Sequence, residues 1–214
     1  MRKGLTEIVF ILDRSGSMSA LTEDTIGGFN SMLEKQKHEP GEVLVSTVLF
    51  NDTSVVIHDR LPLEQVPNMT RREYLAAGGT ALLDAVGGAI HHIGNIHKYA
   101  RREDVPQRTL FVITTDGMEN ASRRYDYEKV RQMISRQQEK YGWEFLFLGA
   151  NIDAAAEAAR FGIGADHAAD YHCDAEGTAL NYEAISEAVR TVRCGKSVPP
   201  SWKANIDADY KKRR

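Results

Sequence analysis

Four short, nearly unbroken apolar runs divide the chain: Glu7–Leu12 (EIVFIL), Val43–Phe50 (VLVSTVLF), Thr109–Thr115 (TLFVITT) and Glu144–Leu148 (EFLFL). A strand with one face in water alternates apolar and polar residues. A strand covered on both faces reads as a continuous run, so these four suit a parallel sheet buried between two layers. The covering layers are written between them. Leu21–Lys37 carries Ile26, Phe29, Met32 and Leu33 at helical spacing, and Ala81–Tyr99 carries Leu82, Ala85, Val86, Ala89, Ile93 and Ile96 on one stripe. Tyr127–Tyr141, Ala154–Phe161 and Glu176–Val192 continue the alternation. Strand–helix–strand order of this kind predicts an α/β domain with helices on both faces of a doubly wound sheet.

One connection breaks the pattern. Val43–Phe50 is followed at once by Asn51-Asp52 and then by Thr53–Ile57, a two-residue link that reads as a tight hairpin. It adds one antiparallel strand at an edge of an otherwise parallel, Rossmann-like sheet. A further short strand is expected at Ala168–Tyr171. Residues 195–214 hold Pro199-Pro200 and end in Lys211-Lys212-Arg213-Arg214, and read as a surface arm ordered only where Trp202 finds a pocket. The length of 214 residues fits one core.

Composition excludes several classes of function. Counting glycine among the apolar residues and leaving tyrosine out gives roughly 46%, an ordinary globular value. No apolar stretch approaches the roughly 20 residues of a membrane span. The residues after Met1-Arg2-Lys3-Gly4 make too short an apolar run for a signal-peptide core, so a cytoplasmic setting is expected. A formal net charge of −3 gives no electrostatic footprint for nucleic acid. Cys173 and Cys194 make neither a disulfide framework nor a metal knuckle and are expected as reduced thiols.

In an open α/β sheet, ligands bind beyond the carboxyl ends of the strands. Two of the strongest strands end in aspartate there. The first runs into Asp13-Arg14-Ser15-Gly16-Ser17, a D-x-S-x-S pattern, and the third runs into Asp116-Gly117. Gly16 is expected to let the first loop curl so that its hydroxyls converge. A third loop, Gly78-Gly79-Thr80, opens the Ala81 helix and offers another hydroxyl. Asp13, Ser15, Ser17, Thr80 and Asp116 are all hard oxygen donors, which selects Mg²⁺, Mn²⁺ or Ca²⁺ over zinc or copper. Two carboxylates balance one divalent ion, and neutral hydroxyls leave it able to accept a further anionic oxygen.

These residues resemble the metal-ion-dependent adhesion site of von Willebrand factor type A (vWA) domains. The resemblance rests on Asp13-Arg14-Ser15-Gly16-Ser17-Met18, on Thr80 in Gly79-Thr80-Ala81-Leu82-Leu83-Asp84, and on Thr115-Asp116-Gly117. It covers roughly residues 5–192 and is similar to bacterial-type vWA proteins without an added domain. The domain is set at 5–194, followed by the arm at 195–214. The resemblance implies that Ser15, Ser17 and Thr80 ligate through hydroxyls, that Asp13 and Asp116 act directly or through water, and that an Asp or Glu of a partner protein completes the Mg²⁺ site. The expected function is therefore a non-enzymatic, metal-dependent protein-binding module, framed by loops around Met18, Met69–Gly78 and Met118–Tyr125.

Other readings of the same residues are blander. Ser17 or Ser19 would simply cap the helix near Leu21. Asp84 suits the first turn of a helix, where the macrodipole favours a carboxylate, and is left outside the site. His91, His92 and His97 lack the spacing of three or four that pairs ligands on one helix face. Gly162-x-Gly164 follows no strand and lacks a third glycine, and no phosphate-binding loop is present. An enzyme using Asp13 in metal-dependent phosphoryl transfer would need a second acid two residues on, where Ser15 stands. Self-assembly, with a second copy donating the acid, is a further alternative.

Overall fold

The computed structural model describes residues 1–213, and Arg214 lies outside the described residues. A six-stranded sheet has the order β3-β2-β1-β4-β5-β6. The strands are β1 (Arg2–Asp13), β2 (Glu42–Phe50), β3 (Ser54–Pro62), β4 (Pro106–Thr115), β5 (Glu144–Ala150) and β6 (Ala168–Tyr171). All neighbours pair in parallel except β2 and β3, an antiparallel edge pair joined by a three-residue turn, 51–53, one residue longer than the expected Asn51-Asp52 link because Phe50 pairs with Ser54. The principal helices are α1 (Thr22–Lys37), α2 (Leu82–Tyr99), α3 (Tyr127–Tyr141), α4 (Ala154–Arg160), α5 (Ala175–Arg193) and α6 (Ala204–Lys212).

Because side chains alternate along a strand, each central strand feeds two cores. Ile8, Phe10 and Leu12 of β1 join Phe29 and Met32 of α1 and Ile185 and Val189 of α5 on one face. Val9 and Ile11 join Val86 and Ile90 of α2 and Val130 and Ile134 of α3 on the other. This two-sided burial explains the unbroken apolar runs. Helix starts follow from the sequence: Asp126, Asp153 and Asp174 each accept a hydrogen bond from a first-turn N–H of α3, α4 and α5. Gly142, at φ +65, ends α3 in the left-handed conformation that glycine adopts without a Cβ penalty.

The C-terminal segment differs from the expected arm. It forms α6 as well as seating Trp202, and Val198, Trp202 and Ile206 enter the same core as β1 and α5. Trp202 donates its indole N–H to the Asp166 carbonyl at 2.9 Å, and the Lys203 ammonium donates to the Ala168 carbonyl at 2.6 Å. His172 stacks on Tyr210, and Arg213 pairs with Asp174 and Asp209. β6 is an edge strand, and an uncovered edge presents unpaired backbone groups. Helix α6 covers it. The charges that made the tail look solvated include Arg213, which is instead a clasp. Trp202→Ala should lower the unfolding free energy by about 3 kcal/mol in urea denaturation, from lost burial and the lost indole hydrogen bond.

Candidate metal centre

β1 and β4 are neighbours at the middle of the sheet, and the chain runs outward from β1 in one direction and from β4 in the other. Their carboxyl ends therefore form the switch-point crevice of an open α/β sheet. Asp13 closes β1 and Asp116 follows β4, so the order of strands alone brings two residues 103 positions apart into hydrogen-bonding contact.

Four of the five predicted donors are linked directly. The Ser17 hydroxyl donates to Asp116 Oδ1 at 2.8 Å, the Ser15 hydroxyl donates to the same oxygen at 3.2 Å, and the two hydroxyls lie 3.2 Å apart. Asp13 Oδ1 accepts the Ser15 backbone N–H at 2.7 Å. Asp13 Oδ2 accepts the Thr115 hydroxyl at 2.8 Å and the Asp116 N–H at 3.3 Å. Thr80 arrives through its loop. The Gly16 N–H donates to the Gly78 carbonyl at 3.0 Å, which ties the Thr80 loop to the D-x-S-x-S loop. The Thr80 N–H donates to Asn120 Oδ1 at 2.9 Å, which ties it to the loop after Asp116. Asp13, Ser15, Thr80 and Asp116 are buried, while Ser17 is exposed, so the cluster opens to solvent on the Ser17 side.

Ser17 and Ser19 do not cap α1. Ser17 faces Asp116, and Ser19 donates to the Gly16 carbonyl within a 3₁₀ turn (Gly16–Leu21) that precedes the helix. Leu21 occupies the cap position with no side-chain bond. Gly16 opens the 3₁₀ turn in which the Ser15 and Ser17 hydroxyls converge to 3.2 Å, and Gly78, at φ +79, turns the Thr80 loop toward the site.

The electrostatics of the cluster can be read from its two acids. Burial pushes the Asp13 carboxyl above its ordinary range. The hydrogen bonds from Ser15 and Thr115 oppose that rise, and the neighbouring Asp116 adds to it. No cationic side chain among the described residues offsets the charge. Two adjacent buried carboxylates repel each other, and a divalent cation held by oxygen donors is a group that would relieve that repulsion. The donor set fits a hard ion.

Several supporting residues carried no sequence signal. The Tyr74 hydroxyl donates to the Asp13 carbonyl from the buried end of the 70–80 loop. Asn151, at φ +58, donates to the Asp116 carbonyl at 3.4 Å, and the Cys173 thiol lies 3.8 Å from Asp116 Oδ2. Burial, followed by the charge of Asp116, pushes that thiol up to about 11, so Cys173 remains a neutral donor. Only the Thr115 contact was near a recognised motif. Met18 and Met69, expected among the loops framing the opening, are buried in the core, and Met118 and Leu75 are the exposed apolar side chains there. The histidines hold separate partners: His91 Asn95, His92 Asp59, and His97 the buried Glu7. Gly162 ends α4 at φ +81, and Cys173 and Cys194 are both free.

The fold and these loops define a vWA domain. The chain belongs to the family of VWA domain containing CoxE-like proteins, whose model matches residues 2–171. Solved structures agree on the fold. Proximal thread matrix protein 1 from the mussel byssus superposes with a TM-score of 0.59 at 14% identity, over 87% of this chain and 46% of its own. The vWF domain of the type V pili tip protein Mfa5 from Porphyromonas gingivalis gives 0.59 at 12% identity, over 87% and 95%. A von Willebrand factor type A protein from Catenulispora acidiphila gives 0.55 at 16% identity, over 86% and 42%. The chain thus spans less than half the length of the first and third of these. A further structure of the mussel protein, at 15% identity and a TM-score of 0.58 over 87% of this chain and 46% of its own, has a zinc-occupied adhesion motif. No curated protein matches. The six-stranded, mostly parallel sheet with one antiparallel edge strand and flanking helices is the vWA form of the Rossmann-like fold. No helix among the described residues is long and apolar enough to cross a membrane.

Asp84 proves to organise the neighbouring loop rather than the cluster itself. Its carboxylate accepts the backbone N–H groups of Arg123, Arg124 and Tyr125 at 3.0, 2.9 and 2.9 Å. Burial is the largest single influence and raises its pKa, but the three N–H donors and the Arg124 charge together outweigh it and hold the carboxyl below its ordinary value. A depressed carboxyl stabilises the fold above its unfolded pKa, and that contribution is lost as pH falls through the folded value. Asp84→Asn should therefore cost roughly 1 kcal/mol at pH 7, kept small by solvent exposure. The gap from the parent in urea denaturation should close as pH falls below about 4.

Proposed function

We propose that this chain is a divalent-metal-dependent protein-binding module. Asp13, Ser15, Ser17, Thr80 and Asp116 would hold Mg²⁺, with Mn²⁺ or Ca²⁺ as chemically equivalent hard ions. When bound, the ion supplies a Lewis-acidic position that an Asp or Glu of a partner protein completes. vWA domains are generally interaction modules without catalytic activity, and this chain's residues suit that role. The observation that carries the reading is the pair of buried, adjacent carboxylates lacking a cationic partner, with Ser15 and Ser17 bridged to Asp116.

The residues have separable tasks. Asp13 is fixed by the Thr115 hydroxyl and the Ser15 N–H, so its carboxylate needs no rearrangement to present charge to an ion. Ser17 lies on the solvent side, where a partner's acid would approach. Leu75 and Met118, about 60% exposed, offer apolar contact around that polar centre, and Met suits an adaptable interface. The two free thiols suit a reducing, cytoplasmic setting. A phosphoryl-transfer role for Asp13 lacks a proton donor: Ser15, where the second acid would stand, is already committed to Asp116. Donation of the acid by a second copy is separated by mass measurement with and without Mg²⁺.

Mg²⁺ at a hundredfold excess over its dissociation constant should stabilise the fold by about 2.7 kcal/mol, a rise of roughly 5–10 °C in Tm for a chain of this size. Asp116→Asn and Asp13→Ala should each abolish the rise while the chelator-treated proteins still melt cooperatively. Capture of a partner should disappear with chelator and in both variants. Partner capture that persists without the ion sinks the proposal.

A further inference from the structure

A second surface runs along α2 and α3, from Tyr125 and Lys129 near the loop that follows Asp116 toward the opposite end of the sheet. α2 and α3 flank a groove of about 870 Å³ whose floor includes the first residues of β4, Pro106 and Thr109, whereas the candidate metal centre follows the last. Five basic side chains line it and are exposed: Lys98 and Arg102 on one rim, Lys129, Arg136 and Lys140 on the other. No Asp or Glu lines the groove. That is unusual in a chain with a formal net charge of −3.

The five cations also lack ion-pair partners among the described residues. Arg2, Arg60, Arg71, Arg101, Arg160 and Arg190 each pair with an acid. The acids nearest in sequence to Arg102, Glu103 and Asp104, pair with Arg101. Glu128 and Glu139 of α3 line a neighbouring depression that Arg136 and Lys140 also border, and neither acid forms an ion pair with them. Three of the lysines instead lie over tyrosine rings: Lys98 over Tyr99 at 4.8 Å, Lys129 over Tyr125 at 4.6 Å and Lys140 over Tyr141 at 5.4 Å from the centroid. Cation–π contact orients an ammonium without neutralising it. The field is felt locally, because hydrogen bonding and charge from Lys140, with a smaller effect from Arg136, hold the exposed Tyr141 phenol below its ordinary value.

We propose that this groove docks an acidic, amphipathic helical segment of a partner protein, independently of the metal centre. The charge arrangement selects this occupant. Lys129, Arg136 and Lys140 are spaced by seven and four residues, so they spread along roughly 16 Å of helix instead of converging on one point. A single phosphate needs convergence, whereas carboxylates on successive helical turns match a spread. The floor supplies the apolar half of the match: Met133 and Tyr125 are half-buried, and Gly94 leaves α2 without a side chain where it approaches Gln137. Single-stranded nucleic acid would need free aromatic faces for base stacking. Here Tyr125 and Tyr141 each have a ring face covered by lysine, and Trp143 is 4% exposed.

The test uses the full chain. A displayed library of random 14-residue peptides is selected against the parent and counter-selected against Lys129→Glu/Arg136→Glu/Lys140→Glu. Enriched sequences should carry at least three acids beside an apolar seam at helical spacing. The synthesised consensus peptide should bind the parent at least tenfold more tightly than the triple variant. Its affinity should fall with added salt and be unchanged by chelator or by Asp13→Ala. A milder pair, Arg136→Ala/Lys140→Ala, should weaken binding in the same direction and guards against misfolding, with circular dichroism melts as control. The proposal is overturned if enriched peptides show no acidic excess or if the consensus binds the triple variant equally well. Tighter binding of tripolyphosphate, single-stranded oligouridine or phosphatidylserine vesicles than of the consensus peptide overturns it too. Since the metal centre is untouched by these variants, Mg²⁺-dependent stabilisation separates failure here from failure of the metal-dependent reading.

Discussion

Two carboxylates are buried side by side where β1 and β4 end, and much of the surrounding loop structure is arranged about them. Burying one ionised acid is unfavourable, and burying two adjacent ones adds their repulsion. The protein distributes that cost over directional hydrogen bonds. Thr115 and the Ser15 N–H hold Asp13, Ser15 and Ser17 hold Asp116, and Tyr74 fixes the backbone beneath Asp13. The remaining imbalance is what supports the metal-dependent reading of the site. A cluster of oxygen donors with excess negative charge and an open side is suited to a hard cation, and to a cation that keeps an outward position available.

The scaffold around that point is built so that the loops cannot drift. The β2–β3 turn reaches the Thr80 loop through Asp52, which accepts the Gly79 N–H at 2.9 Å, and through the Asn51 carbonyl, which accepts the Ala81 N–H at 2.7 Å. The loop after Asp116 is held by Asp84 and by Glu119, which accepts the N–H of Leu83 at 2.8 Å. The edge hairpin thus serves the centre of the sheet as well as its margin. At the opposite margin α6 covers β6, and Arg213 ties the last turn of that helix to Asp174 at the start of α5. Both edges of the sheet are therefore linked to elements that lead back to the central strands.

The molecule also separates two kinds of attraction for acidic groups. At the carboxyl ends of the strands the attraction would come from an ion held by acids. In the α2–α3 groove it would come from unpaired lysines and arginines. The first is short-ranged and tied to ion occupancy, and the second is screened by salt within about 10 Å. A near-neutral total charge conceals both, because it averages a patch of five cations against acids placed elsewhere.

The alternation of apolar runs with helical stripes was enough to specify the doubly wound sheet, because two-sided burial keeps the strands nearly continuously apolar, with Ser46 and Thr47 of β2 the buried polar exceptions in mid-strand. The Asn51-Asp52 link specified the antiparallel edge, since so short a connection allows nothing else. That Asp13, Ser15, Ser17 and Asp116 converge, with the Thr80 loop beside them, was legible because these residues fall at strand ends and loop starts. Other features depended on contacts between segments far apart in the chain. Ser17 could have been a helix cap until Asp116 stood 2.8 Å away. Asp84 was an ordinary first-turn acid until three N–H groups from residues 123–125 closed on it. The C-terminal residues read as a surface arm from Pro199-Pro200 and the terminal charges, although Val198, Trp202 and Ile206 recur every four residues, a helical spacing. Only the uncovered β6 edge and the core beneath it made them a helix in place. Local pattern determines which elements form, and tertiary structure decides which polar groups meet, because hydrogen bonds and charges depend on distances that sequence separation does not encode.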